Sequence, residues 1–275
     1  IHNALPFSTS VSPDKRLIDL LFGAEPLRID QNYKRFFAML TSDDQLDPFL
    51  ANQNVLDALT IAYDDGVRLF SIYGDEGSGR RFTIRHFCAQ KRLRCITGDG
   101  AKLFGYDFSF VQQALWAVAR ECLLTEACCC LTNLSYREED KERFFGYMDL
   151  CFERLSDRGI AVFTHSRDKL PLREMTQLDF AHLELATPDN RERIALWQHY
   201  ADGYALGEDV DLTELATKFL FTGGKIKNAP HQSRSLASMD KEILISRDKL
   251  LKACNAQISH ELTQQATRIP ANFTW

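Results

Sequence analysis

The chain of 275 residues is 45% hydrophobic and 26% charged, which is typical of a soluble globular protein with a substantial core. Its net charge of −5 gives no sign of the broad basic surface that favours nucleic-acid binding, and no apolar run approaches the roughly 18 residues of a membrane span. The first residue is Ile1 and no signal-peptide pattern follows, so we expect an excerpt of a longer, cytoplasmic protein.

The first 52 residues predict a helical lead-in. A helix is predicted from Ser12 to Gly23, where a serine N-cap, an early proline and a final glycine mark its ends. Two further helical stretches follow, near Asn32 to Leu40 and near Asn54 to Ala62.

From Val67 onward, short apolar runs alternate with amphipathic stretches. The predicted strands are Val67–Gly74, Leu93–Asp99, Ala127–Leu131, Gly159–Ser166 and Phe180–Ala186. The predicted helices between them are Arg80–Lys91, Ser109–Leu124 and Arg137–Asp157. This alternation predicts an α/β fold in which a five-stranded parallel sheet carries helices on both faces.

From Thr187 the pattern is helical throughout. The first predicted helix has Thr187 as its N-cap. Three more are predicted at Leu212–Phe221, Gly224–Ser238 and Ser246–Thr267. Pro230 is expected to disturb the helix Gly224–Ser238. The chain therefore divides into an α/β unit at 53–186, a small helical lid at 187–268 and a linker at 269–275.

Eight cysteines occur without a C-x-x-C pair or zinc-finger spacing. Cys128, Cys129 and Cys130 occupy a predicted strand, where successive side chains face opposite ways, so these thiols cannot converge on one metal ion. We predict buried thiols in a reducing compartment, and no metal site.

The stretch "GDEGSGRR" matches the G-x-x-x-x-G-[basic] spacing of a phosphate-binding loop, between a predicted strand and a predicted helix. Such loops point backbone N–H groups at a phosphate. The candidate contacts are Gly74, Gly77, Ser78, Gly79 and Arg80. Arg81 stands where a hydroxyl would hold magnesium. A nucleotide pocket and a simple strand-to-helix turn both remain open.

The order of these stretches resembles an AAA+ (P-loop NTPase) module with a five-stranded core and a helical lid. It is most similar to the classical clade and to bacterial proteins that carry two such modules in tandem. "LFSIYGDEGSGRR" resembles Walker A, "ACCCLTNL" occupies the Walker B strand, "AVFTHS" resembles sensor 1 and "FTGGKIKNA" resembles the start of the sensor 2 helix. The likeness covers Asn54 to Trp275, and "IPANFTW" resembles the connector to a second module.

At the positions where the resemblance places hydrolytic residues, this sequence has other residue types. The Walker B places fall on Thr132 and Asn133, and "MTQLDF" lacks the expected arginine finger. The sensor 1 place falls on His165, for which a hydrogen-bonded structural role is the alternative. Loss of a general base lowers a rate by about 10²–10⁴, and loss of an arginine finger by about 10³–10⁵. We therefore expect a pseudo-ATPase module that can hold ATP or ADP without tightly held magnesium.

Other residues have two interpretations each. Phe104 in "KLFGY" is either a pore-loop aromatic or a residue that closes a loop onto the core. Gly223 and Gly224 either contact a phosphate or base, or follow a simple N-cap at Thr222. Arg120 and Glu121 are predicted as a solvated pair, with contact to a neighbouring subunit as the alternative.

The resulting hypothesis is a non-hydrolysing AAA+ tier that supports assembly and regulation. Its expected partners are further copies of itself in a hexameric ring, a second AAA+ module and a protein client, without membrane or nucleic acid. One alternative is an active ATPase that uses Glu138, Glu139 or Asp140 as acids. The other is a nucleic-acid remodelling or loading module.

Overall fold

The structure is a computed structural model that describes residues 32–40, 46–135 and 137–268, together with Arg16, Ile18, Leu21 and Phe22. The rest of the predicted helix from Ser12 to Gly23, and the predicted linker at 269–275, lie outside these described residues. Within the described ranges, no helix combines the length and hydrophobicity that a membrane crossing requires.

Six strands of the described chain form one mixed sheet. They are β1 (Phe37–Leu40), β2 (Leu69–Gly74), β3 (Cys95–Asp99), β4 (Cys128–Leu134), β5 (Val162–Ser166) and β6 (Phe180–Leu185). Their order is β1-β3-β4-β5-β2-β6, in which β1 is antiparallel to β3 and all other pairs are parallel. The five predicted parallel strands are confirmed, and the predicted strand count is wrong by one.

The additional strand lies in the lead-in, so the helix predicted near Asn32 to Leu40 is wrong. Residues 37–40 pair with β3, from Phe37 opposite Gly98 to Leu40 opposite Cys95. Phe37 and Leu40 are buried in the core clusters on opposite faces of the sheet. A short apolar run fits either period, and here tertiary burial and pairing with the edge of β3 select the strand.

Helices cover both faces of the sheet, as predicted. In chain order the helices are α1 (Gln53–Asp64), α2 (Arg80–Lys91), α3 (Gly100–Leu103), α4 (Phe108–Thr125), α5 (Lys141–Ser156), α6 (Leu172–Met175), α7 (Asn190–Ala201), α8 (Leu212–Lys218), α9 (Gly223–Met239) and α10 (Arg247–Arg268). α1 and α2 pack on one face with Cys128 and Cys130, whereas α4 and α5 pack on the other with Cys129. All eight cysteines are buried free thiols, which confirms their predicted role as small hydrophobic residues.

The helices from α7 to α10 surround a third core cluster centred on Trp197. α7 is not capped by Thr187: Asp189 is its N-cap, in a capping box with Glu192. Pro230 does not interrupt α9, which continues to Met239 with Pro230 buried inside it. Burial of this helix against its neighbours therefore outweighs the cost of about 3 kcal/mol for an interior proline.

A buried ion pair ties the lead-in to α4. Arg16 Nε donates to both carboxylate oxygens of Glu121, at 2.9 and 3.1 Å, and the Glu121 side chain is 0% exposed. Arg120 Nε lies 3.6 Å from the same carboxylate. The predicted solvated pair is therefore wrong for Glu121, because its carboxylate is buried and paired with Arg16.

We expect Arg16→Ala to lower the free energy of unfolding by about 3 kcal/mol, because it removes a close partner of a buried carboxylate. Urea denaturation measures the change. Arg137→Ala is the matched control, since Arg137 is 82% exposed in its pair with Glu139 and should cost less than about 1 kcal/mol. Equal losses in the two variants would contradict this assignment.

Candidate functional site

The glycine loop, residues 74–79, follows β2 at the carboxyl edge of the sheet. β2 lies between β5 and β6. The connections after β3, β4 and β5 run toward β6, whereas the connection after β2 runs in the opposite direction to β3. Such a reversal of direction is where open α/β sheets bind ligands. The loop predicted from the sequence is therefore at a topologically favoured position.

Backbone geometry requires glycine in this loop. Gly74, Gly77 and Gly79 have φ of 149°, 79° and 96°, a region in which other residues are strained. A β-carbon at Gly74 would also lie 2.5 Å from the carbonyl oxygen of Leu185 at the end of β6. The loop thus turns sharply and packs closely against the neighbouring strand.

The loop leads directly into α2, whose N-terminus has no side-chain cap. Gly79 is the N-cap of α2 and provides no side-chain capping bond. Thr83 N–H donates to Gly79 O at 2.8 Å, so the amides that precede Thr83 have no intrahelical acceptor. Ser78 Oγ is buried and has no hydrogen-bond partner among the described residues. These donors can bind an anion.

A cleft of about 380 Å³ opens beside this helix end. It lies between the loop, the start of α9, α7 and the segment 47–51. The predicted residues that line it are Gly77, Ser78, Gly79, Arg80, Arg81, His165, Gly223 and Gly224. Gly74, Thr132, Asn133 and Phe104 are not among its lining residues. Residues from the α/β unit and from the predicted lid therefore share one cleft.

The start of α9 is fastened to the glycine loop. Gly224 N–H donates to Gly77 O at 2.8 Å, and the Thr222 hydroxyl donates to Glu76 O at 3.0 Å. Thr222 is the N-cap of α9, as predicted, but its side chain makes no capping hydrogen bond. The loop carbonyls instead accept hydrogen bonds from the first turn of the helix and from its N-cap hydroxyl.

Cationic side chains surround the cleft. Arg80 Nη1 donates to the carbonyl of Ser166 at the end of β5, and burial lowers the pKa of Arg80 from its ordinary value. Lys227 on α9 lies 2.8 Å from Asp47, and the hydrogen bond from Lys227 lowers the pKa of that carboxyl. Asp47 is the one carboxylate among the described residues that line the cleft. The lining of the cleft therefore carries three cationic side chains, Arg80, Arg81 and Lys227, against one carboxylate. This excess of positive charge suits an anionic ligand.

His165 lies at the end of β5 and lines the cleft as a neutral ring. Burial, with a contribution from the charge of Arg80, lowers the pKa of His165 from 6.5 to about 4. Asn133 N–H lies 3.2 Å from His165 Nδ1, so Nδ1 acts as the acceptor. A neutral imidazole with one accepting nitrogen carries its proton on the other, which assigns the N–H donor to Nε2.

The end of β4 holds no acid for magnesium. Thr132 Oγ1 donates to Gly98 O at 3.1 Å, and the Asn133 side-chain amide donates to Asp99 Oδ1 at 3.3 Å. Among the described residues, no group of three or more His, Cys, Asp or Glu side chains is arranged to hold a metal ion. The exposed acids Glu138, Glu139 and Asp140 form a 3₁₀ turn beyond β4 and do not line this cleft.

Phe104 lies in a different place, at the end of α3. Its ring stacks on Tyr147 at 5.1 Å and meets Phe144 edge to face at 5.7 Å. It borders a separate cleft of about 420 Å³. This packing agrees with the interpretation of Phe104 as a residue that closes a loop onto the core.

Several residues of the site were missed from the sequence. Asp47, Phe49, Tyr200 and Lys227 line the main cleft, and Asp99 contacts Asn133. Lys227 had a usable signal, because it follows Gly223 by four positions and so shares its helix face. The others are brought in by the tertiary fold and have no such local pattern.

Comparison with known proteins adds no identification. The chain matches no protein-family model, and no curated protein matches it significantly.

Gly224→Ala should destabilise the protein by about 1–3 kcal/mol, because its β-carbon would lie 2.8 Å from Gly77 Cα, a backbone contact that cannot rotate away. Gly223→Ala is the matched control. Its β-carbon would meet nothing closer than Leu196 Cδ1 at 3.9 Å, so it should be neutral or slightly stabilising. Thermal and urea unfolding of both variants measure the difference, and equal effects would contradict the close approach.

Folding stability should also depend on pH through His165. Below about pH 6.5 the unfolded chain protonates this residue, whereas the folded ring stays neutral down to about pH 4. Acidification through this window therefore favours the unfolded state, by up to about 3 kcal/mol. His165→Gln lacks this titration. The stability of wild type relative to the variant should fall by about that amount between pH 7 and pH 4 in urea denaturation, and a constant difference would contradict the buried neutral ring.

Proposed function

We propose that this chain is a nucleotide-binding module with a degenerate phosphate loop, which holds ATP or ADP without magnesium-dependent hydrolysis. The observation that carries the proposal is the uncapped start of α2, which opens into a cleft lined by Arg80 and Lys227. The neighbouring end of β4 provides no carboxylate that could hold a metal ion. This combination favours binding of a phosphate group and disfavours metal-assisted chemistry on it.

The residues present fit a phosphate group. The first amides of α2 have no intrahelical acceptor, and the buried hydroxyl of Ser78 has no hydrogen-bond partner among the described residues, so a phosphate could bond to both. Arg80 would add charge from the sheet side and Lys227 from the lid side. Phosphate oxygens accept strong charge-assisted bonds from such groups.

The remaining wall of the cleft suits a base and sugar. Its apolar lining includes Phe49, Pro188, Leu196 and Tyr200. Small-molecule sites commonly combine apolar walls with a few convergent polar groups. The phosphate end and the apolar end of the cleft therefore match the two ends of a nucleotide.

The residues present do not fit hydrolysis. Arg81 replaces the magnesium hydroxyl, and Thr132 and Asn133 are neutral. His165 has its proton on Nε2 and its Nδ1 lone pair occupied by Asn133, so it is a poor general base. Asp47 is held in an ion pair that lowers its pKa. Loss of the general base alone lowers a rate by about 10²–10⁴.

In its wider form the proposal follows the AAA+ resemblance. The module would serve assembly and regulation in a hexameric ring whose second AAA+ module hydrolyses ATP and remodels a protein client. The Glu121 side chain is 0% exposed in its pair with Arg16, so its carboxylate is not a candidate for contact with a neighbouring copy.

Equilibrium titration with fluorescent ADP and ATP tests the proposal. We expect binding of similar strength with and without magnesium, no turnover, and about tenfold or greater weakening in Arg80→Ala. Arg137→Ala, an exposed arginine beside the other cleft, should bind as wild type does. Circular dichroism on both variants controls for folding.

The alternatives predict different outcomes. Steep magnesium dependence with turnover that is lost in Arg80→Ala would support an active ATPase instead. Salt-sensitive DNA binding near physiological ionic strength would support a nucleic-acid function. Absence of nucleotide binding would overturn the proposal and leave the loop as a structural turn.

A further inference from the structure

The first turn of α2 carries charge of the wrong sign for the start of a helix. Arg80 and Arg81 are its first two residues, and no acidic residue lies in this turn. The start of a helix bears a partial positive charge, which favours a nearby anion and disfavours a nearby cation. The start of α7 has the usual arrangement, in which Asp189 and Glu192 form a capping box. The two arginines of α2 therefore become favourable only when an anion is bound beside them.

The two arginines differ in what the protein itself provides for them. Arg80 Nη1 donates to the carbonyl of Ser166. Burial lowers the pKa of Arg80, and the nearby carboxylates of Glu76 and Asp75 oppose that shift. Arg81 lines the cleft as an exposed side chain and has neither a hydrogen bond nor an ion pair among the described residues. Arg81 is thus the arginine whose guanidinium remains available to a ligand.

Arg81 also stands at the position where a phosphate loop has the hydroxyl that binds magnesium. Magnesium requires oxygen ligands in near-octahedral geometry and is usually held through carboxylates. The residues here do not fit that ion, because Thr132 and Asn133 are neutral and the cleft carboxylate of Asp47 is paired with Lys227. A guanidinium, by contrast, binds phosphate oxygens through its planar fork. The site therefore fits a phosphate group that is held by protein cations.

We propose that Arg81 takes the place of the magnesium ion, and that the ligand is a nucleoside diphosphate or triphosphate in its metal-free form. The guanidinium binds oxygens of the phosphate groups and balances part of their charge. This inference rests on the proposed function and adds to it the chemical form of the ligand. Magnesium carried in by the nucleotide would compete with Arg81 for the same oxygens, and one cation would be exchanged for another with little change in affinity.

Titration with fluorescent ADP, in magnesium and in EDTA, tests this exchange of cations. Arg81→Ser removes the guanidinium and restores the hydroxyl. Binding in EDTA should therefore weaken about tenfold, and magnesium should recover most of the loss. Arg81→Lys keeps a positive charge and should bind within about threefold of wild type in both conditions. Arg137→Ser is the matched control, since Arg137 is 82% exposed and does not line the cleft.

Each result of the titration decides between the two proposals. Unchanged affinity of Arg81→Ser in EDTA would overturn the role of Arg81 and leave the nucleotide site intact. Weaker binding that magnesium does not recover would show a phosphate contact only, and would overturn the replacement of the metal ion. No ADP binding by wild type would overturn the proposed function and this inference together.

Thermal unfolding of the ligand-free chain provides a second measurement. Arg81→Ser removes a cation from the positive end of α2, so the Tm should rise by about 1–3 °C. ADP in EDTA should raise the Tm of wild type more than that of the variant, because stabilisation by a ligand follows its affinity. A lower Tm for the ligand-free variant would show that Arg81 is needed by the fold itself, and would overturn its assignment to the ligand.

Discussion

The parallel pairing of β2 with both β5 and β6 is the constraint on which the site depends. Residues 69–73 of β2 lie opposite residues 162–166 of β5, and residues 69–74 lie opposite residues 180–185 of β6. Because all three strands end at one edge, the glycine loop meets His165 on one side and Leu185 on the other. The close approach of Gly77 and Gly224 then brings the helical region against the same loop.

The electrostatics of the cleft follow from this convergence. The start of α2 contributes Arg80, the end of β5 contributes His165 and α9 contributes Lys227. Thr132 and Asn133 at the end of β4 are neutral and do not line the cleft. Burial keeps His165 uncharged beside the arginines. The outcome is a cleft rich in hydrogen-bond donors, which suits an anionic ligand.

Local sequence patterns predicted the helices and strands whose apolar residues recur at a regular period. The strand from Leu69 to Gly74, the loop and the helix from Arg80 to Lys91 were all predicted, because their apolar periods and glycines are local signals. The helix predicted near Asn32 to Leu40 was wrong, because four apolar residues carry too little periodicity to exclude a strand. Pro230 was expected to disturb α9, yet the buried packing of α9 outweighs that local preference.

What the sequence by itself determined is the chemistry available: a glycine-rich loop after an apolar strand, two consecutive arginines after it, and no acid from Ala127 to Arg137. The tertiary structure alone decided which distant groups meet there. Asp47 reached Lys227, Asp99 reached Asn133, and Arg16 reached Glu121, across separations of 180, 34 and 105 residues. Such contacts depend on strand order and on how helices pack, which no local pattern of residues encodes.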